Sequence, residues 1–250
     1  MKRILVRADD LGYCEAVNYG IAKAVKEGII RSVGLMPNMK AAEHGVQLLK
    51  GTPVCYGQHT NICEEYPLTD PALIPSLVQP NGKFKSKTEY RQAKEDFVVL
   101  DEVILEIEAQ LRRFVELVGD KPHYLEAHAV PSANLFKGLQ IVAQRHGLEY
   151  LGMDFSGGPI HFRNTDLYTS MNSMGPEYDP FQCLKEGSLR DVGENGCVMM
   201  VCHPGYVDEY VYQTSFLTRQ RAQEVAMCIA PETRQWLEEN QVQVVTYDDL

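Results

Sequence analysis

Hydrophobic and polar positions along the chain follow two alternating patterns, short apolar runs and longer stretches with apolar residues at helical spacing. The apolar runs are typical of buried parallel strands, and the longer stretches are typical of amphipathic helices. The predicted strands span residues 3–7, 32–36, 54–59, 123–128, 148–153, 196–205 and 242–247. The predicted helices span residues 15–27, 41–50, 101–118, 135–146, 181–189, 216–229 and 233–240.

Seven strands, most of them followed by a helix, place the chain in the α/β class. A TIM-like (β/α) barrel of seven strands, or of eight, fits this order best, and an open doubly wound sheet is the alternative. No internal repeat divides the chain, and 250 residues is an ordinary length for one barrel. We therefore predict a single barrel domain over residues 1–250.

Residues 61–98 interrupt the alternation of strands and helices with a stretch rich in Pro, Gly, Lys and Glu. A connection of this length in a compact domain tends to be functional. We interpret it as an insertion that forms a lid or one wall of a substrate groove. A decorative loop and a homodimer contact are the alternatives. A second irregular region covers about residues 156–175.

The charge and hydropathy of the chain argue against several classes of partner. A formal net charge of −10 and a pI of about 5.2 disfavour nucleic acid and anionic membranes, which both select basic surfaces. No apolar run reaches the length that spans a bilayer. The N-terminus leads directly into the first strand, so we expect no signal peptide. A small neutral substrate is compatible with all of these features.

Seven cysteines are scattered along the chain without a CxxC pair, and several lie in apolar runs. An odd, scattered set is typical of reduced, mostly buried thiols rather than of a disulfide framework. We therefore expect a cytoplasmic protein. The cysteines are Cys14, Cys55, Cys63, Cys183, Cys197, Cys202 and Cys228.

Polar side chains stand at the ends of four predicted strands. Asp9 and Asp10 follow the first strand, His59 ends the third, His128 ends the fourth and His203 lies at the end of the sixth. In a β/α barrel these strand ends converge on one face, where active sites are built. A lone pair of adjacent Asp residues is more often a loop and a helix cap, but four polar positions at four strand ends favour a shared site.

The two adjacent carboxylates require a particular backbone. Neighbouring residues on an extended strand point to opposite faces. We therefore expect the first strand to end at Arg7 and a turn to bring Asp9 and Asp10 into one cavity. Two anions that close repel each other, and a divalent cation would hold them together.

Two imidazoles and one carboxylate form a set of three ligands that leaves positions open for water and substrate. This layout is typical of a catalytic hydrolytic metal site rather than a closed structural one. A metal there lowers the pKa of bound water and polarises a carbonyl oxygen. The second carboxylate could then accept a proton from water, and a further His could protonate the leaving group.

The remaining histidines fit this site less well. His44 and His146 lie in predicted helices and are interpreted as surface or packing residues. His123 starts its strand and so lies at the wrong end of it. His161 lies in the second irregular region and is a candidate for the wall of the groove.

Several motifs together resemble the YdjC-like carbohydrate deacetylases, a family that includes the chitooligosaccharide deacetylases. They begin with Ala8-Asp9-Asp10-Leu11-Gly12 and Asn18-Tyr19-Gly20-Ile21, and continue with Gly28-Ile29-Ile30-Arg31-Ser32 and Met36-Pro37-Asn38. Gly57-Gln58-His59, Lys121-Pro122, Leu125-Glu126-Ala127-His128 and Cys202-His203-Pro204-Gly205 follow in the same order. The resemblance covers most of the chain.

The resemblance implies a β/α barrel related to the polysaccharide deacetylases and the removal of an acetyl group from a small N-acetylated sugar. Matched by position, Asp10, His59 and His128 correspond to the metal ligands. Asp9 corresponds to the general base and His203 to the His near the leaving group. The family metal is described as magnesium or zinc, and a His₂Asp set favours zinc or another transition metal.

The chain departs from the family pattern beside these residues. Glu126 and Tyr124 stand where Asp and His are usual, and Leu11 stands where Phe is usual. Ala129 and the residues after it replace further histidines. The predicted ligands are intact, so the departures bear on the substrate pocket rather than on the reaction type.

Two other functions are compatible with the motifs. A barrel hydrolase or isomerase could use the same metal on another bond of a sugar or sugar phosphate. A sugar-binding protein could keep the barrel without the reaction, although Asp9 and His203 would then have no role.

Overall fold

The computed structural model describes residues 2–154, 157–175 and 177–250. Met1, and Ser156 at the start of the second irregular region, lie outside the described residues. The strands are β1 (Lys2–Leu11), β2 (Ser32–Leu35), β3 (Cys55–Thr60), β4 (Tyr124–Ala127), β5 (Glu149–Tyr150), β6 (Ile160–Phe162), β7 (Thr165–Ser170), β8 (Gly196–Cys202) and β9 (Val242–Val245).

Eight of these strands form a nearly closed mixed barrel in the order β5-β4-β3-β2-β1-β8-β7-β6. All described pairs are parallel except β6 with β7, which is antiparallel. The last strand, β9, pairs with the first residues of β1, Lys2 to Leu5. The predicted α/β barrel is therefore confirmed, and the open doubly wound sheet is not the fold that forms.

Helices pack around this sheet. They are α1 (Glu15–Lys26), α2 (Ala42–Leu49), α3 (Lys87–Gln92), α4 (Leu100–Val118), α5 (Ala133–His146), α6 (Pro180–Leu189), α7 (Glu209–Thr214), α8 (Arg219–Ile229) and α9 (Pro231–Glu239). On β1 the side chains alternate between two layers. Ile4, Val6 and Ala8 pack in the cluster that includes α1 and α2 residues, whereas Leu5 packs with β8 residues in another cluster. Arg7 and Asp9 have the parity of Leu5 and so lie on the same face.

The first strand is longer than predicted, because it runs to Leu11 and not to Arg7. The expected turn is replaced by an irregularity within the strand. Ala8 pairs with Val33 and Leu11 with Leu35, so three steps on β1 match two on β2, as in a β-bulge. Asp10 has a φ of 73° within it. The bulge, rather than a turn, lets adjacent carboxylates reach one site.

Other boundaries also differ from the prediction. The second irregular region contains the β6–β7 hairpin, which raises the number of described strands above seven. The fifth strand contracts to Glu149–Tyr150. The helix predicted over residues 216–229 begins only at Arg219, and α7 precedes it. Short alternating segments with polar residues carry too weak a periodicity to locate these elements.

Residues 61–98 contain α3 and a 3₁₀ turn at Pro71–Leu73. Their buried apolar side chains, such as Ile74 and Leu77, pack in one cluster with residues of α4 and α5. Within the described residues, no helix has the length and apolarity needed to cross a lipid bilayer.

Candidate metal centre

The structure brings Asp10, His59 and His128 together at the carboxyl ends of β1, β3 and β4. Asp10 Oδ1 lies 3.5 Å from His59 Nε2 and 3.3 Å from His128 Nδ1. The two ring nitrogens lie 2.8 Å apart. All three residues are buried. Three ligand atoms in a triangle of this size match one face of a tetrahedral or octahedral metal.

Unpaired atoms at this triangle support its ability to hold a cation. Asp10 Oδ1 is buried and forms no hydrogen bond among the described residues. His128 Nε2, the ring nitrogen that does not belong to the triangle, is also buried without a partner among these residues. Buried polar atoms nearly always have a partner. A cation would satisfy the carboxylate oxygen directly, so the residues present fit a divalent metal.

A second carboxylate orients His59. Glu126 Oε1 lies 2.8 Å from His59 Nδ1, which leaves Nε2 to face the triangle. The two residues are direct partners in the β3–β4 register. Glu126 also pairs with Arg7, whose Nη2 lies 3.0 Å from Glu126 Oε2. A carboxylate on the other ring nitrogen fixes the tautomer and orientation of a ligand imidazole.

Asp9 does not join the triangle but lies beside it, held by Arg7. Arg7 Nε lies 2.6 Å from Asp9 Oδ1, and Nη2 donates to Asp9 Oδ2 at 2.8 Å. Arg7 Nη1 also donates to the Tyr247 hydroxyl at 3.1 Å. Burial, together with the Glu126 carboxylate, raises the pKa of Asp9 although Arg7 opposes the shift. Asp9 is therefore an oriented carboxylate with a raised affinity for a proton.

The pKa of Asp10 is shifted in the opposite direction to that of Asp9. Burial alone would raise its pKa, but the charge of Arg221 together with His128 and His59 holds the pKa of Asp10 well below the ordinary value. Arg221 Nη2 donates to Asp10 Oδ2 at 2.7 Å, across 211 positions of sequence. One oxygen is thus committed to Arg221, and the other faces the two histidines. An ionised carboxylate is the form that binds a metal.

The charges of the buried cluster do not balance without another cation. Among the described residues, the carboxylates of Asp9, Asp10 and Glu126 form ion pairs with two guanidinium groups, those of Arg7 and Arg221. Burial lowers the pKa of His59, but Glu126 and Asp9 raise it more strongly, to about 10. Burial lowers the pKa of His128. A proton on His59 therefore balances the cluster, and a divalent metal could replace that proton.

His203 lies at the end of β8 and is buried beside Asp10 at the same cavity. Its Nδ1 has no hydrogen-bond partner among the described residues. Burial lowers the pKa of His203 to about 4, although Asp10 and Asp9 oppose the shift. Its backbone N–H donates to Glu224 Oε2 at 2.6 Å, and the Tyr178 hydroxyl donates to Glu224 Oε1 at 2.6 Å.

The insertion forms one wall of the cavity above the candidate metal centre. Lys87 and Arg91 of α3 line it together with Asp10, His128 and His203. Lys87 Nζ also forms an ion pair with Glu64 Oε1 at 2.5 Å. The other residues that line the cavity are Tyr13, Ala129, Met174, Ser215, Phe216, Leu217 and Arg221.

The other histidines lie elsewhere, in the described part of the chain. His44 in α2 contacts Asn18, and His146 at the end of α5 pairs with Glu108. His123 precedes β4 at the opposite end of the barrel and pairs with Asp248. His161 on β6 is exposed, pairs with Asp166 and does not line the cavity, so the interpretation as a groove residue is wrong.

Sequence reasoning missed the buried partners of the predicted residues. Arg7 could have been found, because a charged residue inside an apolar strand, two positions before Asp9, must share its face. Arg221 and Glu224 gave no such signal, since both lie on α8, far along the chain from the residues they contact.

The chain resembles curated proteins along its full length. The model of the family described as YdjC-like protein matches residues 3–239. Carbohydrate deacetylase 2 of Listeria innocua is 31% identical over 99% of this chain and 98% of its own length. The carbohydrate deacetylase of Geobacillus stearothermophilus is 30% identical over 98% of this chain and 97% of its own. The chitooligosaccharide deacetylase of Escherichia fergusonii is 29% identical over 86% of this chain and 87% of its own.

Solved structures share the fold. A candidate cellobiose-phosphate cleavage protein of Enterococcus faecalis superposes with a TM-score of 0.83 at 20% identity, covering 99% of this chain and 98% of its own. A family 4 acetyl xylan esterase of Clostridium thermocellum, in complex with a cobalt ion, superposes with a TM-score of 0.53 at 12% identity, covering 99% and 89%. The family match and the full-length identity agree with the resemblance seen in the motifs: the chain belongs to the YdjC-like protein family.

Proposed function

We propose that this protein is a metal-dependent deacetylase that removes the acetyl group from a small N-acetylated sugar, such as a chitooligosaccharide. The observation that carries the proposal is the triangle of Asp10, His59 and His128 with Asp9 and His203 beside it. The relatives of the chain that are named carbohydrate deacetylase and chitooligosaccharide deacetylase support the same reaction.

Asp10, His59 and His128 would hold the metal. A divalent ion of the zinc class, or magnesium, would lower the pKa of water and polarise the carbonyl oxygen of the acetyl group. The imidazole nitrogens favour a transition metal over magnesium, because magnesium prefers oxygen ligands alone. The cobalt ion bound by the acetyl xylan esterase supports the divalent class.

Asp9 would accept the proton of the attacking water. Its carboxylate is fixed by two contacts from Arg7, so it needs no rearrangement, and its burial favours the protonated product. Glu126 supports the same arrangement by holding both Arg7 and His59. The Arg7 guanidinium thereby aligns a base and, through Glu126, a ligand.

His203 would donate a proton to the leaving amine. Its lowered pKa keeps the imidazole neutral at neutral pH in the free protein. The negative charge that develops on the substrate would raise the proton affinity of His203 during the reaction. The buried Nδ1 of His203, which has no partner in the described part of the chain, could make a new contact. His203 would take up a proton from solvent as that charge develops and pass it to the amine nitrogen as the C–N bond breaks, and Asp9 would return the proton of the attacking water to solvent.

The test is acetate release from N-acetylated disaccharides by the purified protein, with and without a chelator, together with elemental analysis of bound metal. One equivalent of metal and chelator-sensitive acetate release would support the proposal. Asp9→Asn should keep the metal and lose turnover by about 10²- to 10⁴-fold. Full activity of Asp9→Asn would show that Asp9 is not the base.

The same assay separates the two alternatives. A metal-containing protein that releases no acetate, but acts on another bond of a sugar or sugar phosphate, would identify a different hydrolase or isomerase. Sugar binding without turnover of any substrate would identify a binding protein. Protein without metal after addition of zinc or magnesium would refute the candidate metal centre.

A further inference from the structure

A second group of metal-ligating side chains lies at the opposite end of the barrel from the candidate metal centre. It consists of Cys55, His123 and Asp248, which we call the Cys55 cluster. A thiol sulfur, a ring nitrogen and a carboxylate oxygen from these residues all lie within 4.8 Å of one another. Cys55 is the first residue of β3, and His123 immediately precedes β4. Asp248 lies in the 3₁₀ turn Tyr247–Asp249 that follows β9.

The two ends of the same strands thus carry two sets of ligands. β3 begins with Cys55 and carries His59 near its end, and β4 lies between His123 and His128. Because the strands are parallel and adjacent, residues at their starts are brought together for the same reason as residues at their ends. The C-terminal segment after β9 supplies the third ligand, Asp248, at the starts of these strands.

A buried hydroxyl on the neighbouring strand lies beside Cys55. The Ser32 hydroxyl is fully buried and has no hydrogen-bond partner among the described residues. Ser32 is the direct partner of Cys55 in the β2–β3 register. The Ser32 hydroxyl could therefore donate a hydrogen bond to the Cys55 sulfur once that sulfur is ionised.

The remaining two ligands are positioned to meet the sulfur from the solvent side. His123 Nδ1 lies 2.6 Å from Asp248 Oδ1, and both side chains are partly exposed. The cluster therefore has a buried soft ligand and an open face through which an ion can enter. This differs from the candidate metal centre, where all three ligands are buried and none is a thiol.

We propose that the Cys55 cluster is a second metal site, specific for a thiophilic divalent cation of the zinc class, with a fourth position occupied by water. On binding, the S–H bond of Cys55 breaks, its proton passes to solvent, and the sulfur binds the metal. His123 moves its ring proton to the other nitrogen, and the metal replaces the hydrogen bond to Asp248. One proton is released per ion, and no redox change occurs.

The chemistry of the ligands determines the selectivity. Thiolate and imidazole select zinc-class ions, and magnesium does not bind thiolate. The bound ion would fasten the C-terminal segment to the starts of β3 and β4, so binding would stabilise the folded protein. The proposal concerns a structural site and does not depend on the proposed deacetylase activity.

A cobalt(II) titration of the whole protein tests the site directly. A thiolate bound to cobalt(II) gives an intense near-ultraviolet charge-transfer band, which the thiol-free ligand set Asp10, His59 and His128 cannot produce. We expect the band to reach its plateau within two equivalents of cobalt, one for each site, to be lost in Cys55→Ser and His123→Ala, and to be displaced by zinc but not by magnesium.

Matched controls separate the site from incidental binding. Cys228→Ser removes another buried thiol, and His146→Ala removes another partly exposed His that pairs with a carboxylate. Both should keep the band. Absence of the band in the unmodified protein, or its persistence in His123→Ala, would refute the site. Because His123 is partly exposed, His123→Ala remains informative if Cys55→Ser fails to fold.

Thermal unfolding gives a second readout that is independent of the cobalt absorption band. Zinc should raise the Tm of the unmodified protein more than that of His123→Ala, and the difference should vanish in chelator. Acetate release by His123→Ala should stay within about twofold of the unmodified protein, since the cluster lies at the other end of the barrel. An equal zinc-dependent rise in both proteins would contradict the proposal.

Discussion

Arg7 and Asp9 lie two residues apart on β1, and the Arg7 guanidinium binds both oxygens of the Asp9 carboxylate. The contacts are Nε with Oδ1 at 2.6 Å and Nη2 with Oδ2 at 2.8 Å. The spacing of two places both side chains on one face of the strand, so the local sequence alone sets up the pair. One hydrogen bond and one close ion-pair contact together hold the carboxylate against the guanidinium.

Arg7→Lys should separate orientation from charge. Lysine keeps the positive charge but cannot form the planar two-point contact with Asp9. We expect kcat for acetate release to fall by about 10- to 100-fold while metal content stays at the unmodified level. Steady-state kinetics and elemental analysis of the same preparation measure both. Arg3→Lys, at the start of the same strand, is the control and should keep kcat. An unchanged kcat in Arg7→Lys would show that Arg7 does not orient Asp9.

Glu126→Gln should weaken metal binding. The carboxylate at 2.8 Å holds the His59 ring with Nε2 toward the triangle, and a neutral amide can hold either tautomer. We expect metal affinity to fall by about 10- to 100-fold. Competition with a chromophoric chelator measures the change. Glu108→Gln disrupts a similar His–Glu pair at 2.8 Å far from the site and should leave the affinity intact.

Glu224→Gln should remove part of the pH dependence of stability. Burial raises the pKa of Glu224 to about 7, although hydrogen bonds from Tyr178 and His203 and the charge of Arg221 oppose the shift, while Asp10 adds to it. Between the ordinary pKa and 7 the folded protein binds more protons than the unfolded chain. The free energy of unfolding therefore falls as pH rises through that window, by about 3 kcal/mol for this group.

Urea unfolding at several pH values measures this effect. The difference in unfolding free energy between the unmodified protein and Glu224→Gln should shrink as the pH rises from about 4.5 to 7. The contribution of Glu224 is complete below this window and lost above it. A difference that stays constant across the window would show that Glu224 does not titrate there.

Gly57→Ala should destabilise the barrel. Gly57 on β3 pairs with Tyr124 on β4, and an added Cβ would lie 2.1 Å from the Tyr124 ring. Tyr124 is fully buried and packs against Tyr247 with ring centroids 4.0 Å apart, so it has little room to move. We expect a loss of about 1–3 kcal/mol of unfolding free energy, measured by urea denaturation.

Gly152→Ala provides the comparison for Gly57→Ala. Its added Cβ would have no neighbour closer than 3.7 Å, which is ordinary contact. We expect its unfolding free energy to lie within about 0.5 kcal/mol of the unmodified value. Equal stability of the two variants would mean that the Tyr124 ring yields to the new methyl group.

The departures from the family pattern occupy distinct structural positions. Glu126 contacts His59 directly, whereas Tyr124 lies below the site, over Gly57. Leu11 is buried in the cluster of α1 and α2 residues. Ala129 follows His128 with a φ of 53°, a left-handed conformation that is uncommon for a residue with a Cβ. The substrate-facing consequences of these departures stay predictions.

Hydrophobic periodicity and residue order in the sequence determined the barrel and the strand ends that carry Asp9, Asp10, His59, His128 and His203. Apolar runs report burial locally, and parallel strands bring their carboxyl ends together, so the convergence of these residues followed without knowledge of contacts. The roles of these residues, as ligands, base and acid, stay predictions.

Only the tertiary structure decided how the site is held. The bulge at Asp10, the pairing of Arg221 with Asp10 and that of Glu224 with His203 depend on register and on helix packing. The same is true of the insertion wall and of the Cys55 cluster, whose residues lie far apart in sequence. Periodicity records which face of an element is buried, but it carries no information on which distant polar groups meet there, because that is set by the packing of whole elements.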